Sequence, residues 1–263
     1  MKKRARYLSN IITMFMLLFA IIMVLPILKV VFSSFGLFSV GFTIKGYIDF
    51  YVWETEYIEA LLRSLAIAMI GTAISIILSS PAAYTFAKVP FRGSRVVFFL
   101  YIVVMIMPFQ VTLLPHFILF KDIGLYDNIG SLILLCGFSP FSVFFLTQAM
   151  KSIPDEIIEA AKLETSSTVL TLLKIIIPSM KPSIVCCAVL VFSEEWNKLA
   201  EPQALLESAE NFPMSMLLST ISSDNILTSV AIVFFLLFPL LLFAFFEDEI
   251  IDGLQEYSLK AFC

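Results

Sequence analysis

Apolar residues fill six stretches of this chain almost without interruption, and polar residues gather between them. The stretches cover residues 11–32, 61–87, 96–119, 129–150, 183–203 and 226–246. A helix needs about 20 apolar residues to cross the hydrocarbon core of a bilayer. None of the six shows the alternating apolar and polar positions of a barrel strand. The pattern therefore predicts an all-α polytopic membrane protein with six transmembrane helices. Pro81 falls inside the second stretch, and Pro108 and Pro115 inside the third. Such prolines are tolerated where neighbouring helices or water meet the carbonyls they free. The fifth stretch is the weakest, because its purely apolar part ends near Trp196. The first follows Lys2, Lys3, Arg4 and Arg6, and its apolar run exceeds the core of about 7–15 residues usual in a secretory leader. It is expected to be a retained helix, so that residues 1–263 form a single transmembrane domain.

Composition narrows the class. Apolar residues are 60% of the 263 and charged residues 14%, with 27 Phe. Mean hydropathy is +0.97. A soluble domain carries about 45–50% apolar and about 25% charged residues. Disorder, a disulfide scaffold and an ordinary soluble enzyme are excluded together. The net charge of −4 gives no support to a nucleic-acid surface. Cys136, Cys186 and Cys187 sit in apolar runs, Cys263 ends the sequence, and no C-x-x-C occurs. They read as small buried hydrophobes and one terminal thiol, not as metal ligands.

Charge gives the expected orientation. Lys and Arg collect on the cytoplasmic side of membrane helices. With the N-terminus inside, only Lys29, Lys45, Arg63, Lys121 and Lys198 of the 17 basic residues fall in outer segments or spans. The outer segments are acidic instead, with Asp49, Glu54, Glu56 and Glu59 in the first and Glu201, Glu207, Glu210 and Asp224 in the third. Six spans return the C-terminus, so both termini are expected in the cytoplasm. Glu247, Asp248 and Glu249 break the sign pattern, but acidic residues weigh little in this rule.

One inner segment is long and polar, residues 151–182. Ser152 is placed to cap a helix, with Pro154 in the first turn and Asp155 and Glu156 near its positive end. Ile153, Ile157, Ala160, Ala161 and Leu163 give this helix one apolar face. Thr165, Ser166 or Ser167 can cap a second helix over residues 169–177, stopped by Pro178. The segment is thus expected to be a helix, a turn and a second helix lying against the membrane.

The run Ile153-Pro-Asp-Glu-Ile-Ile-Glu-Ala-Ala-Lys-Leu-Glu164, followed by Ile177-Pro178 and Lys181-Pro182, resembles the EAA loop of ABC importer permeases. The chain is most similar to the carbohydrate permeases of the maltose-type class, on the side of the six-span subunit. The resemblance continues through Pro81-Ala-Ala-Tyr-Thr-Phe-Ala-Lys88 with Phe91-Arg-Gly, through Met107-Pro-Phe-Gln-Val-Thr-Leu-Leu-Pro115, and through Gly124-Leu-Tyr-Asp-Asn128. Phe144-Phe-Leu-Thr-Gln148, Trp196-Asn197 with Glu201-Pro202, and Phe246 to Gly253-Leu254 complete the series. Two departures stand out. Glu164-Thr165 replaces the Asp-Gly usual after the EAA triplet, and Asp248, Glu249 and Asp252 replace basic residues before the tail glycine.

This resemblance implies that residues 151–182 form a coupling loop seated in a cytosolic ATPase subunit. Glu159 would be its charged anchor and Ala160 and Ala161 its close-contact surface, with Glu164, Thr165 and Pro178 shaping the loop. It implies a heterodimer with a second permease subunit, two ATPase subunits, an extracytoplasmic solute-binding protein and a carbohydrate solute, in the inner membrane of a bacterium. ATP and Mg would be bound by the ATPase subunits, with no cofactor in this chain, which lacks a G-x-x-x-x-G-K-[ST] phosphate loop. Glu194, Glu195, Trp196 and Asn197 are either a membrane boundary with an interfacial Trp or the border of the pathway, an outer gate. The outer segment 201–225, through Glu207, Glu210 and Asn211, either meets the binding protein or is a solvated hairpin.

Other classes compete less well. A permease for a non-sugar solute shares every motif above. An intramembrane serine protease of the rhomboid type needs a nucleophile setting and a partner histidine. The only histidine, His116, lies beside Pro115, and no G-x-S-x-G occurs; His116 reads as an interfacial residue. An ion-coupled carrier favours ionisable groups near span centres, whereas Lys29, Arg63, Glu194 and Glu195 lie near span ends.

Overall fold

The computed structural model describes residues 2–52, 55–89, 91–164, 167–221 and 225–258, with side chains over 12–52, 55–89, 91–161, 167–221 and 225–255. Among the described residues every regular element is helical. In chain order they are α1 (Lys2–Ser34), α2 (Lys45–Val52), α3 (Thr55–Lys88), α4 (Ser94–Ile106), α5 (Phe109–Asp122), α6 (Ile129–Gly137), α7 (Pro140–Ser152), α8 (Asp155–Glu164), α9 (Thr168–Thr171), a wide π-type turn (Leu172–Ile176), α10 (Ile177–Ser179), α11 (Lys181–Asn197), α12 (Ala200–Leu205), a 3-10 turn (Ala209–Asn211), α13 (Met214–Thr220), α14 (Ile226–Phe245) and α15 (Glu247–Ser258).

Four segments are long and apolar enough to cross a membrane: Ile12–Ser34, Thr55–Lys88, Ile129–Ser152 and Ile226–Phe245. The third and fifth predicted spans are not straight rods. Ser94–Ile106 and Phe109–Asp122 meet at 99°. The cause is local: Pro108 has no amide to donate, and its ring drives Met107 out of the helical region, so both residues are extended. Pro115 lies inside α5 without ending it. Thr168–Ser179 meets Lys181–Asn197 at 81°. The fifth predicted span also stops short of residue 203, because Lys198 is extended and α12 is a separate helix. Within the fourth, the chain breaks at Phe138 and restarts at Pro140, where the Ser139 hydroxyl accepts from the Ser142 amide.

The chain divides into two compact units. The first comprises Met1–Ile58 and Leu218–Leu237. Here α2 lies close to the start of α14: a Cβ on Gly46 would come 2.6 Å from Ile226 Cγ2. Phe50 stacks on Phe234 at 4.9 Å, and the Ser34 and Tyr47 hydroxyls share a hydrogen bond of 2.8 Å. From Ile12 to Leu28, α1 exposes its side chains on all sides, as a lipid-facing helix does.

The second unit comprises Glu59–Leu217 and Phe238–Cys263. Its helices approach through small residues, the usual device where lipid supplies no hydrophobic drive between helices. A Cβ on Gly71 would sit 2.7 Å from Cys136, and one on Gly137 would sit 2.7 Å from Ile74. The Ser75 and Ser142 hydroxyls bond at 2.7 Å, fastening α3 to α7. Cys136, Cys186 and Cys187 are buried free thiols, as expected from their apolar surroundings. Gly253 on α15 fits against Cys186 and the Pro182 carbonyl of α11, where a Cβ would meet atoms at 2.7 and 2.9 Å. Gly253→Val should lift α15 from α11 and cost about 1–3 kcal/mol, the usual range for overpacking. A lowered melting temperature of the detergent-solubilised protein checks this.

Candidate functional site

The long polar loop expected on the inner side is built on α8. α7 ends at Ser152, whose hydroxyl turns back to the Ala149 carbonyl at 2.7 Å. Ser152 therefore does not cap the next helix. Instead the Pro154 carbonyl accepts the Ile157 amide, and α8 starts at Asp155, with Asp155 and Glu156 in its positive first turn. The buried face is narrower than the expected one. Ile153, Ile158 and Ala161 point inward, whereas Ile157 is 41% exposed. Ile153 and Ile158 join a core with Ala83 and Tyr84 of α3, Met150 of α7, Ile176, Met180, Cys187 and Ile250. Asp155, Glu156, Ile157, Glu159 and Ala160 face outward.

This orientation separates the two alanines. Ala160 lies on the free face beside Glu159, but Ala161 is 3% exposed and belongs to the packing of this chain. Ala161 is thus not available as contact surface for another subunit. Glu164 is the last residue of α8; Thr165 lies outside the described residues. Ser167 caps the following helix, its hydroxyl accepting from the Leu170 amide at 3.4 Å. Pro178 does not stop that helix, as the sequence had suggested. The chain widens to a π-type turn over Leu172–Ile176, in which the Ile177 amide bonds the Leu172 carbonyl. The wider turn relieves the crowding that the Pro178 ring would impose on a regular turn, and Pro178 itself remains exposed.

Lys88, which the sequence did not mark as functional, holds this loop in place. Its Nζ lies 2.6 Å from the Ile153 carbonyl and 2.6 Å from an Asp155 carboxylate oxygen. The Lys88 side chain is only 7% exposed.

A second group lies where α11 ends. Lys198 is ringed by Glu195, by Glu201 at 3.4 Å and by Glu194 at 3.7 Å. Glu194, Lys198 and Glu201 come together because the chain turns at the extended Lys198, between the end of α11 and the start of α12. These groups line a cavity of about 700 Å³ together with Thr112, His116, Phe109 and Phe141. His116 is half-buried between Phe109 and Phe120, and its Nδ1 is buried without a hydrogen-bond partner. It is a cavity-lining residue. Trp196 is not exposed as an interfacial anchor would be. It is 1% exposed and packs between Phe192 at 5.5 Å and Phe238 at 5.1 Å. Asn197 is exposed and donates to the Ser193 carbonyl at 2.8 Å.

The segment after α11, expected to be the outer one, is also more ordered than a solvated hairpin. Asp127 sits at φ +54°, a left-handed conformation that Asp tolerates better than most residues. From there its carboxylate accepts the Glu207 amide at 2.9 Å, the Ser208 amide at 3.0 Å, the Ser208 hydroxyl and the Asn211 side-chain amide at 3.3 Å. Its carbonyl takes a second bond from Asn211 at 2.6 Å, and its own amide donates to Leu205 at 2.9 Å. These donors, the Ser208 hydroxyl first, hold the Asp127 carboxyl well below the usual carboxylate range. Arg63 fixes the other side through the Phe212 carbonyl at 3.1 Å and the Glu210 carbonyl. Asn211 is therefore committed to internal bonding. The Glu207 and Glu210 side chains lie on the exposed face.

Residues 75–253 match the family of binding-protein-dependent transport system inner membrane components, and the chain belongs to that family. It is a multi-pass membrane transport component. The chain is 30% identical to the polygalacturonan/rhamnogalacturonan transport system permease protein YtcP of Bacillus subtilis, over 79% of this chain and 75% of that one. It is 28% identical to the arabinooligosaccharides transport system permease protein AraQ of the same organism, over 78% and 74%. The AraQ protein of Halalkalibacterium halodurans aligns over 98% of this chain and 99% of its own length at 26% identity. Among solved structures, a chain of a bacterial ABC transporter involved in the import of the acidic polysaccharide alginate superposes with a TM-score of 0.77 at 20% identity, over 96% and 97% of the two chains. The fold is that of an ABC importer permease.

Proposed function

We propose that this chain forms half of the translocation pathway of an ATP-driven importer for a carbohydrate, an oligosaccharide or a glycoside. The observation that carries the reading is the family match together with relatives whose names specify oligosaccharide and polysaccharide transport. A second permease subunit completes the pathway, an extracytoplasmic binding protein delivers the solute, and two ATPase subunits bind ATP and Mg and hydrolyse it. This chain needs no cofactor of its own. The exposed face of α8, with Glu159 and Ala160, docks on an ATPase subunit in the cytoplasm, where both termini also lie. Glu207 and Glu210 face the binding protein.

The cavity near Lys198 supports a neutral sugar. Phe109 and Phe141 offer apolar ring faces and Thr112 a hydroxyl. Three carboxyl groups stand against one ammonium there, which opposes entry of a polyanion. The test is uptake by a strain lacking this chain, using labelled arabino-oligosaccharides and oligogalacturonides. Loss of arabino-oligosaccharide uptake, with oligogalacturonides imported poorly even by the parent strain, is the expected result. Undiminished uptake of every carbohydrate the parent imports would remove the proposed role. Labelling of Cys at position 162 in Lys162→Cys by a membrane-impermeant thiol reagent added outside would overturn the orientation.

A further inference from the structure

α3 is bonded to a different functional segment at each of its ends. At the inner end, the Lys88 ammonium joins three helices. It belongs to α3, it bonds the Ile153 carbonyl that closes α7, and it bonds the Asp155 carboxylate that opens α8. Both bonds are 2.6 Å, and the ammonium stem is nearly buried. Charge-assisted bonds of this kind are about twice as strong as neutral ones.

At the outer end, Arg63 donates to the Phe212 and Glu210 carbonyls. The neighbouring Ser64 hydroxyl accepts the Met214 amide at 2.8 Å. Three main-chain groups of the outer segment are thus tied to the first turns of α3. At about 1.5 Å per residue, Arg63 and Lys88 are about 38 Å apart along the helix.

The two ends belong to one continuous helix. Pro81 removes one amide from the ladder, which ordinarily invites a kink. The helix nevertheless runs unbroken from Thr55 to Lys88, and its packing on both sides of Pro81 holds it. Ala83 and Tyr84, just beyond the proline, are buried at 0% and 4% exposure. Further out, the Ser75–Ser142 bond and the close approach at Gly71 bind α3 to α6 and α7. A push at one end of such a body is transmitted, because packed cores shift as units and do not deform continuously.

We propose that α3 is the transmission rod between the two faces of this protein, with Lys88 and Arg63 as the positioning residues at its ends. Displacement of α8 reaches the outer segment through Lys88, along α3, and out through Arg63 and Ser64. This rests on the importer reading above, since the displacement comes from an ATPase docked on α8.

The test needs no knowledge of the solute. The complex of this chain with its partner permease and ATPase subunits is purified and trapped with ATP, Mg and vanadate. Hydrogen exchange is then read at the amides of Glu207, Ser208, Asn211 and Phe212. Trapping should change exchange there by at least about fivefold, the lower end of ordinary coupling between sites. Lys88→Met and Arg63→Met should each abolish most of that response while ATP hydrolysis persists. The double variant should lose no more than either single one, whereas independent effects at distant sites add. Lys88→Arg, which keeps the charge, should retain most of the response. A full response in Lys88→Met or Arg63→Met, or losses that sum in the double variant, would overturn the rod. Should Lys88→Met fail to assemble, Asp155→Asn weakens only one of the two bonds and should show partial loss; an unchanged response there would equally overturn it. A wild-type complex that hydrolyses no ATP takes the importer reading down, and the rod with it. One that hydrolyses ATP without any change in the outer segment removes the rod alone.

Discussion

Glu159→Lys should strip the ATPase subunits from the purified complex, with the permease itself still inserted in the membrane. Glu159 lies on the face of α8 that this chain leaves uncovered, beside Asp155, Glu156 and Ala160. A docking partner for that face must therefore offer basic groups. Truncating one member of a partly buried interfacial charge pair costs about 2–5 kcal/mol, and reversal adds repulsion. Ala160→Trp should act similarly, by holding the partner away. Ala161→Trp should behave differently. Its position is already filled by this chain, so the larger ring disturbs the seating of α8 and lowers the yield of folded permease. Co-purification of the ATPase subunits with tagged permease, beside permease yield and ATPase rate, distinguishes the cases. Wild-type retention and rate in both Glu159→Lys and Ala160→Trp would remove the docking role from α8.

Asp127→Ala should release the outer segment and destabilise the protein by about 2 kcal/mol, allowing for solvent screening of bonds that are each worth more when fully buried. The substitution leaves the amides of Glu207 and Ser208 and the side chain of Asn211 without their shared acceptor, and puts Ala at a positive φ. Asp127→Asn keeps an acceptor and should be milder. The pH dependence follows from the depressed folded value of this carboxyl. Its contribution is fully present above the ordinary carboxylate pKa of about 3.9 and is lost as pH falls toward the folded value. The melting difference between the wild type and Asp127→Asn should therefore be constant from about pH 5 to 8 and shrink below about pH 4. A difference that grows in acid would contradict the clamp.

Much of this architecture was legible because membrane spans and the loop motif are local signals. The apolar stretches announce helices through composition alone, and the run from Ile153 to Glu164 announces α8. What escaped depends on contacts between distant residues. Lys88 reads as one inner basic residue among many; only the fold shows it nearly buried on the Ile153 carbonyl. Asp127 reads as a turn residue until residues 207–211 close on it. Trp196 follows the composition of an interfacial anchor, yet the packing of Phe192 and Phe238 takes it inside. Ala160 and Ala161 are indistinguishable in sequence, because the difference lies in which side of α8 meets the core. Pro108 and Pro178 show the limit of the proline rule: one bends its segment by 99°, while the other is accommodated by a wide turn.

That wide turn has a consequence for chain length. The bond from the Ile177 amide to the Leu172 carbonyl encloses one residue more than a regular helical turn does. The segment before Pro178 thus contains, in effect, a one-residue insertion. Deleting the exposed Leu173 would restore the standard repeat and leave Ile176 and Met180 facing the positions they bury, but it would bring the proline ring back against a carbonyl. The far end of this loop is therefore where its length can change by one residue at least cost, whereas an insertion or deletion within α8 would turn Ile158 and Ala161 away from the core they bury.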